Sequence, residues 1–329
     1  MLIKSIRVAA VTAIALFATG AVVQAQDFKP ENPECIAPAN PGGGWDFICR
    51  TTAKYLFDLG LTSSTMQVTN MTGGGGGVAF AHTVKERNED DNLIVAASMS
   101  TSARIAQGVF EGATKEDVHW LATFGAEYGA IAVAANSEIQ SLTQMMDMIK
   151  ADPRSIAIAG GSSVGSYDHI KPMLIGQAAG MEDVTQMKYV SFSGGGEAVT
   201  ALLSNSVQAL SGDMSEMLGF VESGDIRLIA ILAPERLEAF PDVPTAKEEG
   251  YDVVGANWRG FYMPAGASDA AKAFWSDAIQ TMVQDAGFQA DLKAASIEPF
   301  NNFGADMDAF AAKTIDEVRT LSKEIGIIQ

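Results

Sequence analysis

Short apolar segments alternate with amphipathic segments along most of the chain. Nine apolar runs have the length and composition of buried β-strands: CIAPA, TMQVTN, NLIVAAS, HWLATFG, AIAVAAN, SIAIAGG, MKYVSF, VQALSG and IRLIAIL. After the first run, apolar residues recur at helical spacing at Trp45, Ile48, Leu56 and Leu59, so a helix is predicted to begin just past the first glycine cluster. Strand, helix and strand in repeated order predict an α/β fold with parallel strands.

Two halves of the chain carry similar segments. CIAPANPGGGWD is echoed by SIAIAGGSSVGSYDH, and VTNMTGGGGGVAFAHTV is echoed by YVSFSGGGEAVTALL. Each of these segments contains a strand, a glycine turn and the start of a helix. We therefore predict two similar α/β domains with a ligand cleft between them, and C-terminal helices that pack back on the first domain. Domain 1 is predicted to comprise residues 26–126 and 256–329, and domain 2 to comprise residues 127–255.

The N-terminal residues have the pattern of a secretory signal peptide. Lys4 and Arg7 precede an apolar run that ends near Val23, and small residues surround the predicted cleavage site after Ala25. A membrane anchor is the alternative, but the run is short and interrupted by Thr and Gly. We therefore predict that residues 1–25 are a signal peptide and that the mature protein is exported to the periplasm.

Charge and cysteine content narrow the possible partners. The chain has 22 Lys and Arg and 40 Asp and Glu; removing the signal peptide leaves 20 minus 40, or about −20. This charge argues against a nucleic-acid partner, and it requires local donors for any bound anion. Two cysteines and three scattered histidines give no metal-ligand spacing, so we expect no metal and no cofactor. Cys35 and Cys49 form either a disulfide or two buried thiols.

Four Gly- or Ser-rich turns each follow a predicted strand and precede a predicted helix. They span residues 41–44, 73–77, 160–165 and 194–196. Each turn offers free backbone N–H groups and the positive end of a helix dipole, at the carboxyl end of a strand where ligands bind in α/β domains. Two facing domains would direct all four turns at one cleft. That cleft suits a ligand with several carboxylates, whereas any one turn alone is equally consistent with a tight turn that binds nothing.

Nucleotide and hydrolase motifs fit this chain poorly. Val78 follows Gly77, and no G-K-[ST] occurs, so the P-loop is excluded. Gly161, Ser163 and Gly165 spell G-x-S-x-G, but the last histidine of the chain, His169, lies only six residues after Ser163 in the helix that the turn opens. We therefore predict that the protein is not an enzyme, with a secreted serine hydrolase using Ser163 as the alternative of another class.

Several polar residues near the turns have two interpretations. Asp46 and Asp213 either cap local structure or contact the ligand, and Arg104 either pairs with a carboxylate or lies on an exposed helix face. His169 is more consistent with a capping or packing role. Trp258 and Phe261 are assigned to the core in preference to the cleft wall.

The motifs together resemble one receptor family. The segments ECIAPANPGGGWD, GSSVGSYDHIK, YVSFSGGGEAVTAL, SGDMSEM, PTAKEEGYD and RGFY are similar to those of the extracytoplasmic solute receptors of tripartite tricarboxylate transporters, the TctC or Bug family. The resemblance covers essentially the whole mature chain. The paired cysteines, the triple glycine with Asp46 and the GGGEAVTAL and SGDMSEM runs are closest to the branch that binds citrate. TGGGGG stands where many members have PGAGG.

The resemblance implies an α/β, type II periplasmic-binding-protein fold, a Venus flytrap that closes on one carboxylate without catalysis. It also implies delivery of citrate or a related tricarboxylate to a permease of one large and one small subunit. A dicarboxylate, an aromatic carboxylate or an amino acid is the alternative ligand, and a sensory accessory the alternative role. We expect a monomer. The predicted ligand-binding residues are Pro41, Gly42, Gly43, Gly44, Asp46, Thr72, Gly73, Gly74, Gly75, Ser100, Ser162, Ser163, Gly165, Ser166, His169, Phe192, Gly194, Gly195 and Asp213.

Overall fold

The structure is a computed structural model that describes residues 28–110 and 112–329. The predicted signal peptide, residues 1–25, lies outside the described residues. Among the described helices, none combines the length and the apolar character that crossing a membrane requires.

Strands and helices alternate over most of the described chain. The strands are β1 (Glu34–Ala37), β2 (Gln67–Asn70), β3 (Leu93–Ser98), β4 (Val118–Ala134), β5 (Ala157–Gly160), β6 (Lys188–Ser191), β7 (Ala209–Asp213), β8 (Ile226–Ile231), β9 (Ala256–Pro264) and β10 (Ile297–Phe303). The helices are α1 (Gly44–Asp58), α2 (Gly77–Glu86), α3 (Met99–Ala106), α4 (Leu142–Ala151), α5 (Tyr167–Ala178), α6 (Gly195–Leu203), α7 (Met214–Glu222), α8 (Asp269–Met282), α9 (Ala286–Ala294) and α10 (Gly304–Glu324). Short 3₁₀ helices occupy Lys115–Asp117 and Val184–Gln186.

The strands form two groups that share β4. The order of hydrogen-bonded neighbours is β2-β1-β3-β9-β4-β7-β5-β6, with β10 and β8 also paired to β4. β1 runs parallel to β2 and β3, and β5 runs parallel to β6 and β7. We call β1, β2, β3, β9 and β10 the first strand group and β5, β6, β7 and β8 the second. The predicted α/β fold class with parallel strands is confirmed.

The long strand β4 changes partners near its middle. Tyr128 is its last residue paired with β9, and Gly129 is its first paired with β7. The sequence predicts two separate strands here, HWLATFG and AIAVAAN, and the structure corrects this to one continuous strand of 17 residues. Each of the intervening residues is paired, Ala126, Glu127 and Tyr128 with β9 and Gly129 with β7, so the strand continues through them. The division into domains at residues 126/127 and 255/256 stays a prediction.

The strand β10 was not predicted. Its sequence, IEPFNNF, contains Pro299, which disfavours a central strand. β10 instead pairs antiparallel with β4, outside the main strand order, and its register shifts between Pro299 and Asn302. The irregular edge therefore accommodates a residue that has no backbone N–H to donate.

A disulfide and the C-terminal helices stabilise the first strand group. Cys35 on β1 and Cys49 on α1 are bonded, with their Cα atoms 5.7 Å apart, which decides between the two alternatives that the sequence allowed. Both cysteines are buried beside Ile94 and Leu121 in one apolar core. α8 packs against α1, and α10 packs against α3 and β10, as the sequence predicted.

Candidate functional site

The first and fourth glycine turns meet between the two strand groups. The amide of Asn40 donates to the carbonyl of Ser193 at 3.0 Å, and Asn40 Nδ2 donates to Glu197 Oε1 at 2.5 Å. A Cβ on Gly43 would lie 3.6 Å from the Cα of Gly194, so the two backbones are in contact. The loops after β1 and β6 are thus held together across the cleft. Because a group of carboxyls lies beneath them, we call this junction the acidic end.

The second and third glycine turns meet in the same way. A Cβ on Gly75 would lie 3.1 Å from Ser166 Oγ and 3.2 Å from Ser163 Oγ. Gly73–Gly76 all have positive φ, between 60° and 132°, a conformation that residues with a Cβ rarely adopt. Glycine is therefore required both for the shape of this turn and for its close approach to the serines. We call this junction the donor end.

An arginine on α3 braces the donor end. Arg104 Nη1 donates to the carbonyl of Val164 at 2.7 Å and to Gln107 Oε1 at 3.1 Å. Gln107 Nε2 donates in turn to the carbonyl of Gly165 at 2.7 Å. Arg104 is buried, which corrects the alternative of an exposed helix face, and burial lowers its pKa. Among the described residues it forms no ion pair with a carboxylate.

Several buried donors at the cleft have no hydrogen-bond partner in the part of the chain that the structure describes. They are Trp45 Nε1, Arg104 Nε, Ser162 Oγ and Ser166 Oγ. Because a buried polar group without a partner costs about 1–3 kcal/mol, native proteins rarely leave several together without a use for them. These atoms come from both strand groups and surround the donor end.

Two small cavities lie between the turns. One of about 30 Å³ reaches into the acidic end and includes Gly44, Ser100, Ser162, Gly194 and Asp213 in its lining. The other, of about 50 Å³, lies at the donor end and includes Thr72, Gly73, Gly74, Gly75, Ser163 and Phe192. Trp45 lines both. Each cavity has room for one or two waters, so the cleft must widen to admit a small organic acid.

A larger cavity of about 440 Å³ lies on the outer side of the second glycine turn. Its lining is mostly apolar and includes Val78, Phe80 and Phe110. The buried unpaired donors are not in it, and specific binding of a polar ligand requires such groups. We therefore place the candidate site between the glycine turns.

Buried charges connect the strand groups beneath the acidic end. Arg259 on β9 donates through Nε to Glu127 at 2.6 Å and through Nη2 to Asp213 at 3.0 Å. Lys171 Nζ lies 2.7 Å from Asp213 Oδ1 and 3.0 Å from Asp168 Oδ1. Burial opposes ionisation of Asp213, but Lys171 and Arg259 together hold its pKa below the ordinary value.

Asp213 is predicted to contact the ligand, but protein groups already bond to its carboxylate. Both of its carboxylate oxygens already accept hydrogen bonds from protein groups, including Asn257 Nδ2 at 2.6 Å. Asp213 lines the cleft, but Lys171 and Arg259 already compensate its negative charge. Its use as an acceptor for a ligand hydroxyl stays a prediction.

A further carboxyl, Glu216 at the start of α7, reaches across the acidic end. Its Oε1 accepts a hydrogen bond from the amide of Gly44 at 2.8 Å, so it occupies the N-terminus of α1. A Cβ on Gly195 would lie 2.6 Å from Glu216 Cδ, which explains the bare backbone in the fourth turn. Burial, together with Asp168 and Asp213, raises the pKa of Glu216 to about 8.

Eight of the predicted ligand-binding residues are absent from the lining of both cavities: Pro41, Gly42, Gly43, Asp46, Gly165, Ser166, His169 and Gly195. Pro41 and Gly42 are exposed, and the Gly42 amide donates to Asp46 Oδ2 at 3.0 Å. Asp46 also accepts from Arg50 and Asn70, so local groups satisfy it.

His169 is likewise occupied locally. Its Nδ1 accepts the Gly165 amide at 3.0 Å, its ring lies 4.5 Å from that of Tyr189, and burial lowers its pKa to about 4. Since Nδ1 already accepts a hydrogen bond and no Ser163–His169 hydrogen bond occurs among the described contacts, the geometry gives the hydrolase alternative no general base.

The remaining predicted residues lie at the two ends. Ser166, Gly165, Gly43 and Gly195 do not line the cavities themselves but contact residues of the two ends; a Cβ on Gly165, for example, would lie 2.8 Å from Arg104 Nη1. The predicted list omits other residues that carry the charges and donors of the cleft: Trp45, Asp168, Lys171, Glu216, Asn257 and Arg259. The list also leaves out Arg104, although one of its two predicted roles is to pair with a carboxylate. Glu216 and Arg259 stand in the quoted segments SGDMSEM and RGFY, so their position in these motifs was the available signal.

The chain is similar to known receptors over most of its length. The family model described as "Tripartite tricarboxylate transporter family receptor" (TctC) matches residues 61–327. Protein BugT of Bordetella pertussis is 29% identical over 259 residues, which are 77% of this chain and 76% of BugT.

Two solved structures with ligands share the fold. The Rhodopseudomonas palustris protein Rpa4515 with adipate superposes with a TM-score of 0.80 at 17% identity, covering 90% of this chain and 97% of that one. MatC from the same organism, with bound malate, gives a TM-score of 0.72 at 19% identity and covers 90% and 96%.

Proposed function

The chain belongs to the TctC family of tripartite tricarboxylate transporter receptors, and from this premise we propose that it captures citrate or a related small carboxylate between its glycine turns and delivers it to a membrane permease. Members of this family are periplasmic solute-binding receptors that bind small carboxylates and work with a membrane transporter. Citrate as the ligand, a permease of one large and one small subunit, and a monomeric receptor are the parts that we propose for this chain.

The unpaired donors at the donor end carry this proposal. Ser162, Ser166 and Trp45 offer neutral N–H and O–H groups, and Arg104 offers a buried guanidinium N–H. A ligand carboxylate has two oxygens with about four lone-pair sites, so one group could accept from several of these donors. Hydrogen bonds to a charged group are worth about 1.5–3 kcal/mol each, which is enough to offset the cost of removing the carboxylate from water.

The placement of Arg104 favours an anionic ligand. A buried cation without a counterion is costly, and Arg104 has protein carbonyl and amide acceptors but no carboxylate among the described residues. A ligand carboxylate beside Nε would supply the missing charge. Lys171 and Arg259 are already paired with carboxylates, so Arg104 makes the donor end the favourable place for the ligand's negative charge in a chain that is acidic overall.

The candidate ligands are small acids, because the cleft is closed in this structure and similar folds contain small dicarboxylates. In the closed arrangement, hydrogen bonds join the strand groups directly, as between Asn40 and Ser193. The solved relatives with malate and adipate contain four- and six-carbon dicarboxylates in the same fold. Citrate is the ligand that the resemblance to the citrate-binding branch favours. Because of the two solved structures, we also include malate and adipate among the candidate ligands.

A panel of acids tests the proposal. The protein is heated alone and with citrate, malate, adipate, glutamate or benzoate, and affinities of stabilising acids are then measured by calorimetry. A ligand at about 100 times its Kd stabilises the folded state by about 2.7 kcal/mol, which raises the melting temperature by several degrees. Glutamate and benzoate represent the amino-acid and aromatic alternatives. A panel in which no carboxylate stabilises the protein would contradict the proposed function, and stabilisation without citrate would revise the ligand.

A further inference from the structure

The acidic end contains more carboxyls than cations. Lys171 and Arg259 are the cations, and they face the carboxyls of Glu127, Asp168, Asp213 and Glu216. Asp213 bonds both cations, Asp168 bonds Lys171, and Glu127 bonds Arg259. Glu216 forms no ion pair among the described contacts and takes only the neutral Gly44 amide. Four carboxyls against two cations leave an excess of two negative charges, and Glu216 is the carboxyl of this group that has no ion pair among the described contacts.

Glu216 joins the two strand groups directly. It starts from α7, beside β7, and its Oε1 lies 2.8 Å from the amide of Gly44 at the start of α1. Part of its surface faces the 30 Å³ cavity, so opening the cleft would return the carboxyl to water and release the Gly44 amide. The environment of Glu216 therefore depends on whether the cleft is closed.

The charged groups on the surrounding elements reinforce this dependence. Asp168 of α5 and Asp213 of β7 disfavour a negative charge on Glu216, whereas Arg259 of β9 favours it. The charged groups on the other neighbouring elements form hydrogen bonds or ion pairs with residues other than Glu216. Glu197 of α6 accepts from Asn40 and Ser193, Asp46 of α1 pairs with Arg50, and Arg227 of β8 donates to the carbonyls of Ile139 and Gln140. Glu127 of β4 pairs with Arg259 and accepts the Ser215 amide.

We propose that Glu216 is a proton-linked latch of the cleft: it is the neutral acid when the cleft is closed, so that closure on a ligand takes up one proton at this residue. The neutral acid still accepts the Gly44 amide through its carbonyl oxygen, while the excess of buried negative charge falls from two to one. This inference rests on the proposed function, because closure on a ligand is the event to which the proton is linked.

The sign of the pH dependence follows from the two environments. In the closed cleft the pKa of Glu216 is raised to about 8, whereas a solvated Glu titrates near 4.3. Between these values the closed state holds one more proton than the open state, so affinity falls as pH rises, by up to about tenfold per unit. Above the raised pKa both states are ionised and the dependence levels off. Below it, toward acid pH, closure is favoured.

Calorimetry between pH 6 and pH 9.5 tests the latch. Malate and adipate serve as probes, because their carboxyls are ionised over most of this range, and each titration is run in two buffers with different ionisation enthalpies. We expect wild-type protein to take up close to one proton near pH 7 and to lose affinity roughly tenfold per pH unit until about pH 8. Glu216→Gln should take up none, and its affinity should stay level.

Glu197→Gln is the matched control. Glu197 also reaches across the acidic end, to Asn40, but it is exposed, so its variant should retain the wild-type pH profile and proton uptake. A wild-type profile as flat as that of Glu216→Gln overturns the latch.

If no acid in the panel binds, the proposed function fails separately, and the latch is then tested in the ligand-free chain by carbon NMR of its glutamate carboxyls. A resonance that titrates well above the ordinary range and disappears in Glu216→Gln supports it. If the resonance that disappears in Glu216→Gln titrates near 4.3, like a solvated Glu, the latch is overturned.

Discussion

The two ends of the cleft are built from the same local structure but differ in what their helix N-termini face. At the donor end, the glycine turn after β2 approaches Ser163, Ser166 and Arg104, whose donors include buried atoms without partners. At the acidic end, the turn after β1 meets Glu216, and the first amide of α1 is already bonded to that carboxyl. Similar sequence motifs thus give one junction that is free to accept an anion and one whose helix N-terminus is already occupied by a carboxyl group of the protein itself.

A glycine turn at a helix start therefore provides a possible anion site but does not determine which anion occupies it. Backbone amides and the helix dipole attract any carboxylate nearby, including a side chain from the opposite strand group. The ligand's charge should therefore concentrate at the donor end. Substitutions at matched positions of the two ends can test this asymmetry.

Replacing Arg104 should have the largest effect. We expect Arg104→Gln to weaken binding of the acid found in the panel by about 2–4 kcal/mol, or roughly 30- to 900-fold in Kd, because it removes the buried charge beside the ligand carboxylate. Arg104→Lys should recover only part of this loss, since an ammonium cannot reproduce the planar arrangement of donors. The measurement is calorimetry of the folded variants, checked by circular dichroism.

Arg50→Gln is the control for this substitution. Arg50 lies near the acidic end, is exposed and pairs with Asp46, so its removal should change Kd by less than about twofold. Equal losses for Arg50→Gln and Arg104→Gln would mean that overall charge, and not the donor end, governs binding.

The sequence predicts the fold class and the position of each glycine turn between a strand and a helix because both depend on local patterns. The alternation of apolar runs with amphipathic segments places each glycine at a strand end, and the disulfide between Cys35 and Cys49 joins a strand and a helix that are adjacent in sequence. The continuous strand β4 and the edge strand β10 could not be predicted in this way. Their pairing depends on partners more than 100 residues away, such as β9 for β4 and β4 for β10.

Asp213 is among the predicted site residues, but the charged groups around it are not, for a related reason. Glu127, Asp213 and Arg259 lie far apart in sequence, and only the pairing of β4 with both β7 and β9 brings them together. Composition shows an excess of acid, but it cannot tell which carboxyl lacks a cation. The unpaired state of Arg104 likewise depends on the closed arrangement of the turns.

Adding a methyl group to Gly75 should have a smaller effect than removing Arg104. Its φ is 64°, and a Cβ there would lie 3.1 Å from Ser166 Oγ and 3.3 Å from Arg104 Nε. We expect Gly75→Ala to displace these donors and to weaken binding by about 1–2 kcal/mol, or roughly 5- to 30-fold in Kd.

Gly60→Ala separates this crowding from backbone strain. Gly60 has a φ of 68°, and a Cβ there would meet no atom within 4 Å. Both variants should lose about 1–2 kcal/mol of folding free energy from the positive φ, measured by denaturant unfolding, but only Gly75→Ala should change Kd. Unchanged Kd in both variants would remove the second turn from the site.

Removing one hydroxyl should have the smallest effect on Kd, and it has the most closely matched control variant. Ser166 and Ser215 both carry a buried Oγ without a partner among the described residues, yet Ser166 lies at the donor end and Ser215 follows Met214 beside the acidic end. Because a ligand carboxylate would give Ser166 its missing acceptor, Ser166→Ala should cost about 1 kcal/mol of binding, or roughly fivefold in Kd. Ser215→Ala should leave Kd within error, since the nearest excess charge there, that of the carboxyls, repels the ligand. If the two alanine variants lose affinity equally, the ligand's carboxylates extend to both ends, and the asymmetry of the cleft does not determine where the anion binds.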